Sequence, residues 1–244
     1  MTTRDYYDRY WSTDGYHPTG QTSPALARLF ERWVPTGAQC LDVGCGDGRT
    51  SGLWLRGHGC SYLGVDISEH AVEEARALGL QAQRIDDAAS LPVPQGAYDV
   101  VVSVEVLEHL FLPLDALTEM ARVLRPGGVL IVTVPNVAYW RRRLDLALLG
   151  RWHPMGDDRG VSEPWRDPHI RFFNPGSMRR IIIAAGLTPI VVSGHGGAML
   201  RDVPWLGRRV HGGEASRPYR WLEQAIPSLF AARVYAVARR VVTR

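Results

Sequence analysis

Two stretches of the sequence concentrate side chains able to hold a ligand or move a proton. The first is Leu41-Asp42-Val43-Gly44-Cys45-Gly46-Asp47-Gly48. Glycines at 44, 46 and 48 lack a Cβ, so the backbone there can turn sharply and approach a ligand closely. A GxGxG pattern alone also fits dinucleotide binding. About 20 residues on, Asp66 closes Gly64-Val65-Asp66, where an acid can accept both hydrogen bonds of a ribose diol. A dinucleotide site favours GxGxxG, with helix amides facing a pyrophosphate. Here Asp42 and Asp47 flank the turn, which suits a cationic ligand better than a diphosphate.

The second stretch is Glu105-Val106-Leu107-Glu108-His109. If it is helical, Glu105, Glu108 and His109 share one face at i, i+3 and i+4. Two carboxylates and an imidazole there could hold a divalent cation. Mostly oxygen ligands favour Mg²⁺ or Mn²⁺, and nitrogen ligation leaves Zn²⁺ or Fe²⁺ open. Such a cation would lower the pKa of a substrate hydroxyl and orient it. Without a metal, His109 or His169 becomes the candidate general base, since free imidazole titrates near pH 6.5.

Both stretches follow apolar runs that read as strands. Ala38–Val43, Tyr62–Val65, Leu80–Ile85, Tyr98–Val104 and Val129–Val134 alternate with helical patterns at Arg49–Arg56, from Ser68 to Leu78, and at Leu114–Leu124. Four valines in the fourth run suit a strand covered on both faces. This rhythm predicts a doubly wound, mostly parallel α/β sheet. Further on, Val137–Leu149 and Pro175–Ala185 read as helices, and Leu187–Val192 and Ala231–Ala238 as strands. Residues 150–173 read as a loop, and loops of that length are usually functional or disordered.

With 244 residues, 45% hydrophobic and 22% charged, the chain suits one globular domain. We divide it into an N-terminal helical lid at 1–35, a ligand-binding core at 36–135 and a substrate-side half at 136–244, with an insertion at 193–220. Every basic residue is arginine, which excludes lysine Schiff bases and a P-loop lysine. No apolar run long enough to span a membrane occurs, and the first residues do not read as a signal peptide. A cytoplasmic protein is the expectation. Residues 201–244 carry nine arginines against Asp202, Glu214 and Glu223. The net charge of +3 does not demand a nucleic-acid partner. Three cysteines without paired spacing, Cys40, Cys45 and Cys60, exclude a disulfide framework and a zinc ribbon.

From Ala38 to Val134 the chain resembles the class I S-adenosylmethionine-dependent methyltransferases, which implies a seven-stranded, Rossmann-like sheet. Leu41–Gly48 is similar to their first motif and Asp66 to their ribose-binding acid. Asp87-Ala88-Ala89-Ser90-Leu91-Pro92 resembles their D-x-x-x-L-P segment, and Leu124–Gly128 their L-x-P-G-G turn. The resemblance implies that S-adenosylmethionine is held by Asp42, Gly44, Cys45 and Gly46 of the turn. It also implies contacts from Asp66 and Ile67, from Asp87 and Ala88 at the adenine, and from Val104 at the fourth strand's end.

Glu105–His109 resembles the E-x-x-E-H segment of ubiquinone-biosynthesis O-methyltransferases and of plant small-RNA 2′-O-methyltransferases. The second group adds a histidine, which makes His169 the candidate fourth metal ligand beside Glu105, Glu108 and His109. Val134–Arg141 and Pro168–Phe173 are similar to segments of MetW-like proteins, a group associated with an acyltransferase partner. The expected activity is O-methylation of a small hydroxylated metabolite, with possible assistance from Mg²⁺ or Mn²⁺. The alternatives are metal-independent N- or C-methylation, a MetW-like accessory role, and RNA 2′-O-methylation. The modest charge weighs against RNA. Tyr10, Trp11, Asn136, Trp140 and Phe172 are candidates to line the substrate pocket, together with Trp152 and Trp165; core packing is the competing reading for each.

Overall fold

A computed structural model describes residues 2–12, 21–151, 168–197 and 217–241. Trp152, Trp165 and most of the expected insertion lie outside the described residues. One seven-stranded sheet runs in the order β3-β2-β1-β4-β5-β7-β6. Its strands are β1 (Gln39–Val43), β2 (Ser61–Asp66), β3 (Ala82–Arg84), β4 (Tyr98–Val104), β5 (Leu124–Pro135), β6 (Leu187–His195) and β7 (Arg233–Arg240). All pairings among β1 to β5 are parallel, while β7 is antiparallel to both β5 and β6. β6 therefore points the same way as β5, and β7 starts at the edge where the others end.

Alternate residues of one strand serve two cores. Leu41, Val43 and Val101 pack on one face with Leu117, Met120, Met178 and Ile182. Cys40, Val100 and Val102 pack on the other with Phe30, Leu55 and Ala75. The period of two along a strand produces this division, and covering both faces explains the unbroken valine run. The helices on these faces are α2 (Pro24–Trp33), α3 (Gly52–Gly57), α4 (Glu69–Ala77), α5 (Pro113–Val123) and α7 (Pro175–Ala184). Ser23, Ser68 and Asn174 cap α2, α4 and α7 through side-chain oxygens. α1 (Thr3–Ser12) precedes these, α6 (Trp140–Leu149) follows β5, and α8 (Arg217–Ala225) and α9 (Pro227–Phe230) precede β7.

Several boundaries differ from the sequence expectation. β5 runs from Leu124 rather than Val129, carrying Arg125–Gly128 inside the strand. α3 starts at Gly52 rather than Arg49, because Asp47 accepts from the Arg49 amide and holds a turn. α6 starts at Trp140 because the Asn136 side chain accepts from the Ala138 amide and turns the chain first. Glu105–His109 is not an α-helix: Glu105 has φ +56° and only Leu107–His109 forms a 3₁₀ turn. No helix among the described residues is long and apolar enough to cross a membrane.

Candidate functional site

The strand order reverses between β1 and β4, and ligands of open α/β sheets bind in the crevice beyond that point. A cavity of about 1240 Å³ opens there. A single drug-sized ligand needs about 300–1,000 Å³, so this cavity has room for two.

Gly44, Cys45 and Gly46 line it at the end of β1. Both glycines have positive φ, +75° and +54°. A Cβ on Gly44 would stand 2.3 Å from Val106 Cγ2, and one on Gly46 would stand 2.7 Å from the Trp11 ring. Asp66 ends β2 with one oxygen accepting from Gly46 N–H at 2.9 Å and the other from Ser68 N–H at 3.0 Å. Ile67, Asp87, Ala88 and Val104 also line the cavity. Asp87 accepts from the Ala89 amide at 2.9 Å, which orders that loop.

Asp42 departs from the expected cofactor set, since it is buried and does not line the cavity. One oxygen accepts from Ser51 and from the Tyr62 hydroxyl, and the other has no partner among the described residues. It steadies the turn from below. Burial pushes its carboxyl up to about 6, against the pull of those two hydroxyls. A raised folded-state pKa means that its stabilising contribution is complete below about pH 4 and is lost as pH rises through about 6. In the cofactor-free protein, the stability of Asp42→Asn relative to wild type is expected to rise by about 2–3 kcal/mol between about pH 4 and pH 8. A difference in Tm that stays flat with pH would refute this.

α1 forms one wall through Thr3, Tyr7, Tyr10 and Trp11. Asp8 fastens it, accepting from the Ser68 hydroxyl and the Glu69 amide at 2.8 Å each, at the start of α4. Arg4 pairs with Asp86, and the Tyr7 ring meets His109 edge-on at 6.0 Å. Of the residues expected to face substrate, Tyr10 and Trp11 line the cavity, whereas Asn136, Trp140 and Phe172 do not. Asn136 is consumed in structure, donating to the Pro227 and Ala231 carbonyls at 3.0 and 2.7 Å. Phe172 is 46% exposed.

Beyond β4, Glu108, His109 and His169 come together, with one ligand atom of each within 4.8 Å of the others. Glu108 Oε1 lies 3.8 Å from His109 Nε2 and 3.7 Å from His169 Nε2. These separations are too long for direct hydrogen bonds. Glu108 is buried, and both its oxygens lack a partner among the described residues. Desolvation pushes its carboxyl above the ordinary range, with His169 opposing. Pro168 O lies 3.3 Å from His109 Nδ1, so a proton on Nδ1 turns the Nε2 lone pair toward Glu108. The backbone holds His169 in place, because Ile170 and Arg171 amides both donate to Glu108 O.

Glu105 does not belong to this cluster. Its left-handed backbone turns it toward β5, where Oε1 accepts from Thr133 Oγ1 at 3.0 Å and Oε2 from Arg233 Nε at 3.0 Å. That conformation is sparsely populated for a residue with a Cβ. One carboxylate and two imidazoles suit Mn²⁺, Fe²⁺ or Zn²⁺ better than Mg²⁺, which demands oxygen.

Sequence reasoning did not single out Arg28, His195 or Tyr235, which also line the cavity. A signal existed for His195, which stands in Gly194-His195-Gly196-Gly197 just beyond the expected strand Leu187–Val192, in what reads as an insertion; the strand in fact runs on to His195. The topology explains Tyr235, because β7 runs antiparallel and enters the cavity edge at its start.

A family model described as a methyltransferase domain matches residues 16–192. The chain is 30% identical over 220 residues to a ubiquinone biosynthesis O-methyltransferase of Aeromonas salmonicida, covering 83% of this chain and 86% of that protein. It is 29% identical to the protein of that name from Idiomarina loihiensis, over 76% of this chain and 77% of that one. In fold it is similar to a possible histamine N-methyltransferase from Thermotoga maritima, with a TM-score of 0.63 and 18% identity over 88% of this chain and 87% of that one.

Proposed function

The chain belongs to the class I S-adenosylmethionine-dependent methyltransferases, and from that premise we propose that it methylates an oxygen of a small hydroxylated molecule. Bound S-adenosylmethionine supplies an electrophilic methyl group for in-line displacement. The residues proposed to hold it are Gly44, Cys45, Gly46, Asp66, Ile67, Asp87, Ala88 and Val104. Ubiquinone biosynthesis O-methyltransferases among the relatives support an oxygen acceptor.

One observation carries the acceptor chemistry: a buried carboxylate, neither oxygen of which has a hydrogen-bond partner among the described residues, faces two imidazoles inside the cavity. Natural structures rarely leave such a group unsatisfied. The donor set of Glu108, His109 and His169 fits a divalent cation after a small contraction. Such a cation would lower the pKa of the acceptor hydroxyl. Glu108 neutralises charge there, the Pro168 carbonyl orients His109, and the walls exclude water. Tyr7, Tyr10 and Trp11 of α1 restrict solvent access from above, which strengthens electrostatic interactions within.

A second reading assigns the proton to an imidazole without a metal. The His109–Pro168 contact favours it, since it directs Nε2 into the cluster as a base. Calorimetry separates the two. S-adenosylhomocysteine is titrated first, then Mn²⁺, Zn²⁺ and Mg²⁺ into the chelator-stripped complex. Saturable binding, weakest for Mg²⁺ and absent in His169→Ala, is expected. Cofactor binding with no metal binding would transfer the role to the histidine base.

A further inference from the structure

The cavity has a second end, away from the glycine turn and the Glu108 cluster. Arg28 of α2, His195 of β6, Arg220 and Glu223 of α8, and Arg233 and Tyr235 of β7 line it. Gly194 makes this convergence possible. A Cβ there would stand 2.3 Å from Ala231 Cβ and 2.6 Å from Arg233 O. The absent side chain lets the approach to β7 lie against β6, and the register pairs His195 with Arg233. Gly196, at φ +80°, then turns the chain. Gly197 N–H donates to Glu223 at 2.6 Å.

His195 is held in place but not satisfied. Its ring stacks on Tyr235 with centroids 5.9 Å apart and planes 30° apart. Its Nε2 is shielded from solvent and has no hydrogen-bond partner among the described residues. Burial first, and then the positive charges of Arg233 and Arg28, lower its pKa to about 4, so the ring is neutral. Two acids face the same region, and both are engaged. Glu105 bonds Thr133 and Arg233. Burial pushes Glu223 up to about 7, against the Gly197 amide, Arg220 and Arg28. Among the described residues, three guanidinium groups thus meet two carboxylates at this end of the cavity. The opposite end is acidic, with Asp47, Asp66, Asp86 and Asp87.

We propose that this end of the cavity binds an oxyanion carried by the methyl acceptor, a carboxylate or a phosphate. Arg28, Arg220 and Arg233 supply the charge, and His195 supplies a hydrogen bond. Arginine forks match both groups geometrically. In its Nε2–H tautomer the His195 ring offers a buried donor that no described residue accepts from, and an arriving oxyanion would satisfy it. The cavity thus has two polarities, an acidic end for a cationic methyl donor and a basic end for an anionic acceptor, which orients the acceptor with its hydroxyl toward Glu108. This inference rests on the proposed methylation of a small hydroxylated molecule.

Three probes sharing one ring test it: a dihydroxybenzoate, the corresponding dihydroxybenzyl phosphate and the neutral dihydroxybenzyl alcohol. Each is titrated into the full chain saturated with S-adenosylhomocysteine. At least one oxyanion probe is expected to bind about tenfold or more tightly than the alcohol, the yield of one charge-assisted hydrogen bond. Whichever oxyanion binds better identifies the group. In the Arg28→Gln/Arg220→Gln double variant the preference should vanish while S-adenosylhomocysteine affinity is unchanged. His195→Phe, which keeps the stacking on Tyr235, should reduce the preference by several-fold. An alcohol that binds as well as both oxyanions, an undiminished preference in the double variant, or no binding of any oxyanion would overturn the proposal. Methyl transfer to the same probes is followed in parallel. A binding preference without any O-methylated product would remove the O-methylation reading and leave the oxyanion site standing. Equal methylation of alcohol and oxyanions would do the reverse.

Discussion

Glu108→Gln is expected to lower methyl transfer to a hydroxylated acceptor by about 10²–10⁴-fold, the range associated with losing one acid–base group. Cofactor binding should stay within about twofold of wild type, well under the tenfold that 1.4 kcal/mol represents. The substitution keeps the side chain's size and removes its charge from a buried position. The fold should therefore survive, because a buried carboxylate without hydrogen-bond partners among the described residues is costly and the neutral amide relieves that cost. Three readouts together are informative: turnover, S-adenosylhomocysteine affinity and Tm. Full activity in the variant would end the metal reading, which depends on the Glu108 carboxylate, and leave an imidazole as the base. Reduced activity with equally reduced cofactor affinity would mean that Glu108 only shapes the cofactor pocket. The histidines distinguish the two surviving mechanisms. Under metal assistance, His109→Ala and His169→Ala should both abolish metal binding, whereas under base catalysis they should change the pH profile of kcat without a metal signal.

Gly44→Ala carries the second large effect, this time on the fold and the cofactor together. Gly44 has φ +75°, which strains any residue with a Cβ by about 1 kcal/mol. The added methyl would also stand 2.3 Å from Val106 Cγ2, and Val106 is fastened between the end of β4 and the 3₁₀ turn. Overpacking of this kind costs typically about 1–3 kcal/mol. A combined loss of about 2–4 kcal/mol is expected in chemical denaturation, with S-adenosylhomocysteine affinity reduced at least tenfold. The double variant Gly44→Ala/Val106→Ala should recover the steric part and leave the backbone part. An unchanged stability for Gly44→Ala would show that the turn relaxes around the methyl group. The same displacement of Val106 would disturb Glu105 and Glu108, so turnover should fall further than cofactor affinity does.

Much of the frame was legible in the sequence because it depends on local and periodic features. The valine run of β4, the apolar run of β1 and the helix start at Ser68 are encoded within a few residues. The glycine turn followed by Asp66 is equally local, since one strand and one crossover separate them and parallel pairing places both at the same edge. For that reason the doubly wound sheet could be anticipated from the strand–helix rhythm, and the gathering of Gly44, Gly46 and Asp66 at one edge from their spacing.

The tertiary structure decided what depends on residues far apart in the chain. Helical spacing implied that Glu105 would join Glu108 and His109, but a left-handed residue at 105 broke the helix and gave that carboxylate to Thr133 and Arg233, 28 and 128 residues away. Asn136 looked like a pocket residue from its neighbourhood, yet the carbonyls that consume its amide come from Pro227 and Ala231. His169 reaches Glu108 only because its flanking backbone is hydrogen-bonded to Glu108 itself. The basic end of the cavity is the fullest example, since it joins Arg28, His195, Arg220 and Arg233 from four separate elements. No periodicity relates them. His195 and Arg233 meet because β7 runs antiparallel, so that its first residues, rather than its last, stand beside the end of β6, and Arg28 and Arg220 join them from helices.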